Sequence, residues 1–252
     1  SIEELEAFQA ILEETHLDLR ISKSREFLEA FSDSGLTAMV HAQMAEAYRE
    51  KNNIDSFLKH GEEALKEIPN LPNLLATMAF FYAEKKQPLR ATDSANRALE
   101  ILGTMERSNK VNPSDWATQR FFLSAEAHYV LGRVALGRAQ QDRTDGSDDT
   151  SLREAAKHFH RALEANPTHE YAAFRLAETY ERQRDVQNSV KFYARTIAIG
   201  RVIGPHATQR LDQIYETTKS LPAREKFIAA EKLELEGAKQ ERQKLLAQIV
   251  AE

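Results

Sequence analysis

Eight histidines are the first residues in this chain that could do chemistry. His158 and His160 form an H-x-H pair. On a helix, residues i and i+2 point about 200° apart, so one metal ion cannot take both. No H-E-x-x-H stands in the chain. The acidic stretch Asp142 to Asp149 raises a calcium reading. An EF-hand loop needs oxygen ligands at alternate positions before a glycine, and a terminal glutamate. Counted from Asp142, the third and fifth positions are Thr144 and Gly146, so the pattern fails. Gln140 to Thr150 therefore reads as a surface loop without a metal. There is no cysteine, which excludes a disulfide framework, a thiolate zinc site and a cysteine nucleophile. G-x-G-x-x-G, P-loop and G-x-S-x-G motifs are missing as well. The expectation is a chain with no catalytic residue, no metal and no cofactor. The alternative is a metal-dependent binder or enzyme that uses the histidines and the acidic insertion.

The elements that would position these side chains follow from composition. Of 252 residues, 29% are charged and 42% hydrophobic, which excludes a disordered or collagen-like chain. With only 9 glycines and 7 prolines, tight turns are scarce, and long helices with few loops are expected. The formal charge of -5 lacks the basic excess of a nucleic-acid surface, so no nucleic-acid partner is expected. The longest apolar-rich run, Leu74 to Ala83, is too short to span a bilayer, so no membrane insertion is expected. The chain opens at Ser1 without a methionine and reads as a trimmed or processed form. A cytoplasmic and an exported or periplasmic location both stay open.

A repeat organises the chain. Ala64 and Ala98 are 34 residues apart, and so are Ala162 and Thr196; the same step outward lands on Ala30 and Ala230. Tyr48, Tyr82 and Tyr180 each lie 16 residues before a member of that series. Phe57, Ala91, Ala155, Ser189 and Ala223 each lie seven before one. Pro69 and Pro167 follow two of them by five. Small residues let two antiparallel helices approach at a crossing while large ones fill the grooves beside it. One such hairpin cannot bury its apolar face alone, so neighbours stack. Asn53, Ser151 and Asp185 share one phase and predict N-caps for second helices, with Glu154 completing a capping box for Ser151. Pro88 fits a first helical position. The series breaks between Ala98 and Ala162, which are 64 apart, 34 plus 30. This predicts a helix running from Pro88 to about Arg107. A further long helix is expected over 115–139, capped by Ser114 or Asp115 and projecting beyond its neighbours.

These residues resemble the tetratricopeptide repeat, whose second helix reads small–x–x–x–aromatic–x–x–Ala. The match is clearest over 38–71, through Met44, Ala45, Tyr48, Phe57, Gly61, Ala64 and Pro69. It recurs over 72–105, through Met78, Ala79, Tyr82, Ala91, Ala95 and Ala98, and over 170–203, through Leu176, Ala177, Tyr180, Tyr193 and Thr196. The unit with Leu131, Gly132, Ala155, Phe159 and Ala162 carries the insertion. The consensus tryptophan is replaced by His41, Leu75, His128 and Ala173, so His41 and His128 read as residues packed between helices. The layout is also loosely similar to exported tetratricopeptide proteins of soil bacteria.

The resemblance implies an all-α superhelix of stacked hairpins, about twelve helices, in one domain over 1–252. Its parts would be a degenerate hairpin at 1–36, two regular repeats at 38–105, and an extended repeat at 106–168. A regular repeat at 170–203 and a degenerate one at 204–252 with a long last helix would follow. It implies a non-catalytic scaffold that takes a peptide or partner helix in its concave groove. By the family's register the groove is lined by Asn73, Ala76 and Phe80, by Glu126, Tyr129 and Arg133, and by Tyr171, Phe174, Glu178 and Glu181. Ala42, Glu46 and Arg49 come from the first unit. Phe80 and Phe174 have a second reading, as fillers between repeats. The family's clamp for the acidic tail of heat-shock chaperones does not match. Its positions hold Ala42, Glu46, Thr77, Glu126 and Val130, which lack the cationic donors. After Ala230 a charged run ends in Leu245, Leu246, Ile249 and Val250, which suits a polar cap or a self-association element.

Overall fold

Few turn residues should give helices with short connections, and they do. A computed structural model of the protein describes residues 1–107, 111–141, 147–219 and 221–251. Among these it has twelve helices and no strand. They are α1 (Ile2–Glu13), α2 (Leu17–Ala30), α3 (Thr37–Glu50), α4 (Ile54–Glu67), α5 (Pro72–Glu84) and α6 (Pro88–Thr104). Then come α7 (Pro113–Gln141), α8 (Ser147–Ala165), α9 (Glu170–Arg182), α10 (Val186–Ile199), α11 (Gly204–Thr217) and α12 (Arg224–Ala251). Consecutive helices from α1 to α10 pack in pairs, and each pair packs on the next.

The repeat phase marks the contacts. Ala64, Ala98, Ala162 and Thr196 are fully buried, as are Phe57, Ala91, Ala155 and Ser189. Large side chains fill the space between hairpins: Met44, Phe57, Met78 and Val130 lie in one cluster running from α3 to α7. Each such fully buried apolar side chain contributes roughly 1.5–3 kcal/mol. The tyrosine series ties neighbouring units. Tyr48 Oη accepts from Arg25, Tyr82 Oη donates to Glu62 at 2.7 Å, and Tyr180 Oη pairs with His160 Nε2 at 2.9 Å. At the chain ends the phase loses its meaning. Ala30 is exposed because Phe31 leaves the helix directly after it, and Ala230 is exposed on a helix that has left the stack.

Turns inside the hairpins are built alike. Asn52, Lys86 and Arg184 all adopt left-handed backbone, with φ of 56°, 56° and 61°. After each of them the next N–H returns to the carbonyl of Tyr48, Tyr82 or Tyr180 at 2.9 Å, the Schellman closure. Asn53 and Asp185 then cap α4 and α10, accepting from Ser56 and Asn188 backbone N–H. Ser151 does not cap: α8 starts at Ser147, so Ser151 lies inside it. Of the loop expected over Gln140–Thr150, Gln140, Gln141 and residues 147–150 are helical instead. The core of the calcium pattern, 142–146, lies outside the described residues.

The long helix is present and longer than expected. Asn112, rather than Ser114 or Asp115, caps α7: its Oδ1 accepts from Ser114 N–H at 2.8 Å, and Pro113 takes the first helical position. α7 has 29 residues and α8 has 19, against 13 or 14 in α3, α4, α5, α9 and α10. α6 stops at Thr104, short of Arg107, because Met105 is extended with ψ 120°.

The last helix departs from the hairpin pattern. α12 packs on α10 and α7 rather than lying along α11. Glu231 and Leu235 are its buried contacts; the Glu231 carboxylate lies 3.6 Å from Arg195 and 3.8 Å from Lys191. Farther on, the Arg242 guanidinium sits 3.4 Å from the centre of the Phe121 ring on α7, and Leu245 lines the cleft between α8, α10 and α12. Part of the apolar tip is thus used within the chain.

Candidate functional site

The first helices α3, α5 and α7 stand side by side and enclose an open depression of about 630 Å³. Its lining follows the helical period. Glu46 and Arg49 come from α3, Asn73, Ala76, Thr77 and Phe80 from α5, and Gln119, Phe122 and Glu126 from α7. A second depression of about 450 Å³ shares Glu46, Asn73, Thr77, Gln119 and Leu123, and extends the channel toward Met105, Trp116 and Arg120. Gln119 Nε2 donates to Asn73 Oδ1 at 3.1 Å between α7 and α5. Phe122 is 52% exposed. Arg120 lies 5.1 Å from the Trp116 ring, and Glu46 is held by Arg49, which keeps its carboxyl below the usual range.

Beyond Glu126 the character of the surface changes. Arg133 sits over Phe80 at 5.6 Å and over Tyr129 at 5.7 Å, and its ion pair with Glu84 at 2.6 Å fixes it there. Tyr129 is only 5% exposed. Its ring is wedged against Phe159, His169 and Tyr171, with centroids 6.1, 4.9 and 6.3 Å away. Burial pushes its hydroxyl pKa upward. Buried His169 caps α9: its Nδ1 accepts from Ala172 N–H at 3.1 Å, which assigns its proton to Nε2. That Nε2 lies 3.3 Å from Glu126 Oε1 without hydrogen-bond alignment.

The residues expected in one groove therefore separate. Asn73 and Phe80 line the depression. Arg133 and Tyr171 flank its far end, with Tyr171 46% exposed. Tyr129 is corrected to a packing residue, because a ring so buried presents almost no face to a partner. Phe174 also packs inward, edge-on to Tyr193 at 5.5 Å, and Glu178 pairs with Arg175 at 2.7 Å. Phe80 does both jobs, lining the channel while packing against the core. Gln119, Phe122 and Trp116 were missed. The signal was in the sequence: 122 and 119 lie four and seven residues before Glu126, so the same helical face continues back through the extended N-terminal part of α7.

Five histidines meet a partner on a neighbouring helix rather than along their own. His41 Nδ1 lies 3.0 Å from His60 Nδ1, and His128 Nδ1 lies 3.2 Å from His158 Nδ1. His160 instead meets Tyr180. Among the described residues no group of three or more His, Asp or Glu could hold a metal ion, and no helix is long and apolar enough to cross a membrane.

Solved structures share this arrangement. YrrB, described as a TPR protein with an unusual peptide-binding site, is 18% identical, with a TM-score of 0.53 over 77% of this chain and 84% of that one. The chain has the tetratricopeptide fold. PilF of Pseudomonas aeruginosa, 17% identical, superposes with a TM-score of 0.54 over 96% of this chain and 98% of its own. MamA, 21% identical, gives 0.53 over 82% and 96%. No protein-family model matches the chain, and no curated protein does. None of these likenesses bears on soil bacteria or on export.

Proposed function

We propose that this tetratricopeptide-fold chain is a non-catalytic scaffold that binds an extended peptide or a partner helix along α3, α5 and α7. One observation carries the reading: the two depressions are continuous, and they join exposed Phe122 and half-buried Trp116 to polar groups at Asn73, Gln119, Glu46 and Glu126. Peptide grooves combine those parts, apolar pockets for side chains and polar groups for the backbone. The peptide-binding site ascribed to YrrB supports the reading by analogy of fold. In this reading residues 1–252 act as one superhelical domain, and Arg133 and Tyr171 extend the surface toward α9.

The test is selection of a binding peptide from a random library, followed by affinity measurement. Phe122→Ala and Phe80→Ala should each weaken binding at least tenfold, as truncation of central aromatics does. Arg97→Glu, on α6 away from the depressions and paired with Asp93 and the Pro69 carbonyl, should leave affinity within about twofold. Loss of binding with Arg97→Glu but not with the aromatic variants would move the site off this face.

A further inference from the structure

Two hairpins carry the same pair of histidines. His41 on α3 meets His60 on α4, and His128 on α7 meets His158 on α8. The register is identical. His41 and His128 replace the consensus tryptophan of the first helix, and His60 and His158 each stand four residues before the buried alanines Ala64 and Ala162. All four rings are half-buried, and within each pair they lie 5.2 and 5.4 Å apart, inclined by 26° and 35°. At the same positions the α5–α6 hairpin carries Leu75 and Ser94, and the α9–α10 hairpin carries Ala173 and Phe192. In the two histidine hairpins the facing atoms are two ring nitrogens.

We propose that each histidine pair chelates one divalent first-row transition-metal ion of the zinc, copper and nickel class, through the two Nδ1 atoms, with water completing the shell. The distances carry this. Two nitrogens bound at about 2.05 Å to one ion and lying 3.0 or 3.2 Å apart subtend roughly 90–105° at it. That bite lies between square-planar and tetrahedral, the range these ions accept from imidazole. Calcium and magnesium want oxygen ligands, so they are the wrong class.

The chemistry of the pair agrees. Binding needs both Nδ1 atoms free of protons. In a neutral pair one Nδ1–H donates to the other Nδ1; the ion sits off the N···N line, so each ring turns to aim its lone pair at it, and the shared proton moves to the Nε2 of the same ring, so no proton need be lost. Arg25, Lys59, Glu63, Lys66 and Glu67 surround the first pair; Arg138, Glu154, Lys157 and Arg161 surround the second. Glu63 already pairs with Lys66 at 2.7 Å, and Glu154 with Arg138 at 3.0 Å, so the imidazoles are the donor set.

Calorimetric titration of the full chain with zinc sulfate or copper sulfate at pH 7.5 tests this. Two ions per chain are expected, one in His60→Phe, one in His158→Phe, and none in the double variant. Binding should also raise the melting temperature of the wild-type protein, because each ion joins the two helices of a hairpin, and should not raise it in the double variant. An unchanged stoichiometry in the double variant overturns the proposal, and so does a wild-type protein that takes up neither ion, which leaves a proton-sharing pair only. Should the variants fail to fold, the copper-loaded wild type decides. Its electron paramagnetic resonance spectrum should show two coupled nitrogens per ion, and an all-oxygen spectrum refutes the sites.

Discussion

Gly132 and Gly61 sit at repeat positions that demand small residues, but they meet different neighbours. A methyl added at Gly132 would lie 2.6, 2.7 and 2.9 Å from three ring carbons of Phe159, which is fully buried between α7, α8 and α9. The ring has nowhere to retreat. Gly132→Ala should gain about 1 kcal/mol of helix propensity and lose roughly 1–3 kcal/mol to overpacking, for a net loss in urea denaturation. At Gly61 the nearest atom is Met78 Sδ at 2.7 Å. A thioether has three torsions with which to move aside. Gly61→Ala should therefore change stability by less than about 1 kcal/mol. Equal effects at the two sites would mean that Phe159 is as mobile as Met78. Ala64→Leu belongs with Gly132, because Ala64 is fully buried at its crossing; a loss of roughly 1–3 kcal/mol is expected.

Elements are joined by two devices, one repeated and one unique. The repeated one is the Schellman turn with a non-glycine residue in left-handed backbone. Lys86 and Arg184 are exposed there, so their side chains contribute little and their Cβ atoms strain the turn. Lys86→Gly or Arg184→Gly should stabilise the protein by roughly 1 kcal/mol, and Asn52→Gly by less, because asparagine tolerates that conformation. A denaturation midpoint that falls in the lysine and arginine variants would contradict this. The unique device is Glu170. Its buried carboxylate accepts the backbone N–H groups of Arg201, Val202, Ile203 and Gly204 at 2.8–3.1 Å, closing the N-terminus of α11 from the side of α9. Glu170→Ala should cost about 2–3 kcal/mol, and Glu170→Gln less, since one amide oxygen still accepts. The turns were legible in part, because Asn53, Asp185 and Pro88 carry local chemistry that periodicity locates. Glu170 and the docking of α12 were not. Glu170 meets residues 31 to 34 positions away, and Glu231 meets Arg195 across two turns and a helix. Such pairings depend on where whole elements come to rest, which no repeat phase encodes. Ser151 misled for the same reason: its phase is right, but the insertion let α8 begin a turn earlier.

Across the whole molecule the solenoid puts titratable rings into the seams between helices, and this makes stability depend on pH. The groove shows how far the sequence reaches at this scale. Its period puts Asn73 and Phe80 on the face that lines the depression, yet it could not tell that Tyr129 would be enclosed by His169 and Tyr171, which approach only when α9 stacks on α7. Packing of helix on helix also lowers the histidines. Burial brings His60 and His128 to about 4 from 6.5, and lowers His41, His158 and His160. A histidine kept neutral in the fold but protonated when unfolded contributes stability that is complete above its unfolded value. That contribution is lost as pH falls toward its folded value. The affected window is therefore 4 to 6.5. Carboxylates held low, such as Glu46 by Arg49, add a separate loss only as pH drops below their ordinary 4.5. At pH 5, unfolding should take up roughly two protons through His60 and His128 alone. Melting temperatures in metal-free buffer should thus fall steadily from pH 7 to 4.5. The fall should be shallower in the His60→Phe, His128→Phe double variant, which has removed the two most shifted rings. A wild-type melting temperature that stays flat or rises over that interval would show that these rings are protonated in the folded chain, and that the seams are open to water.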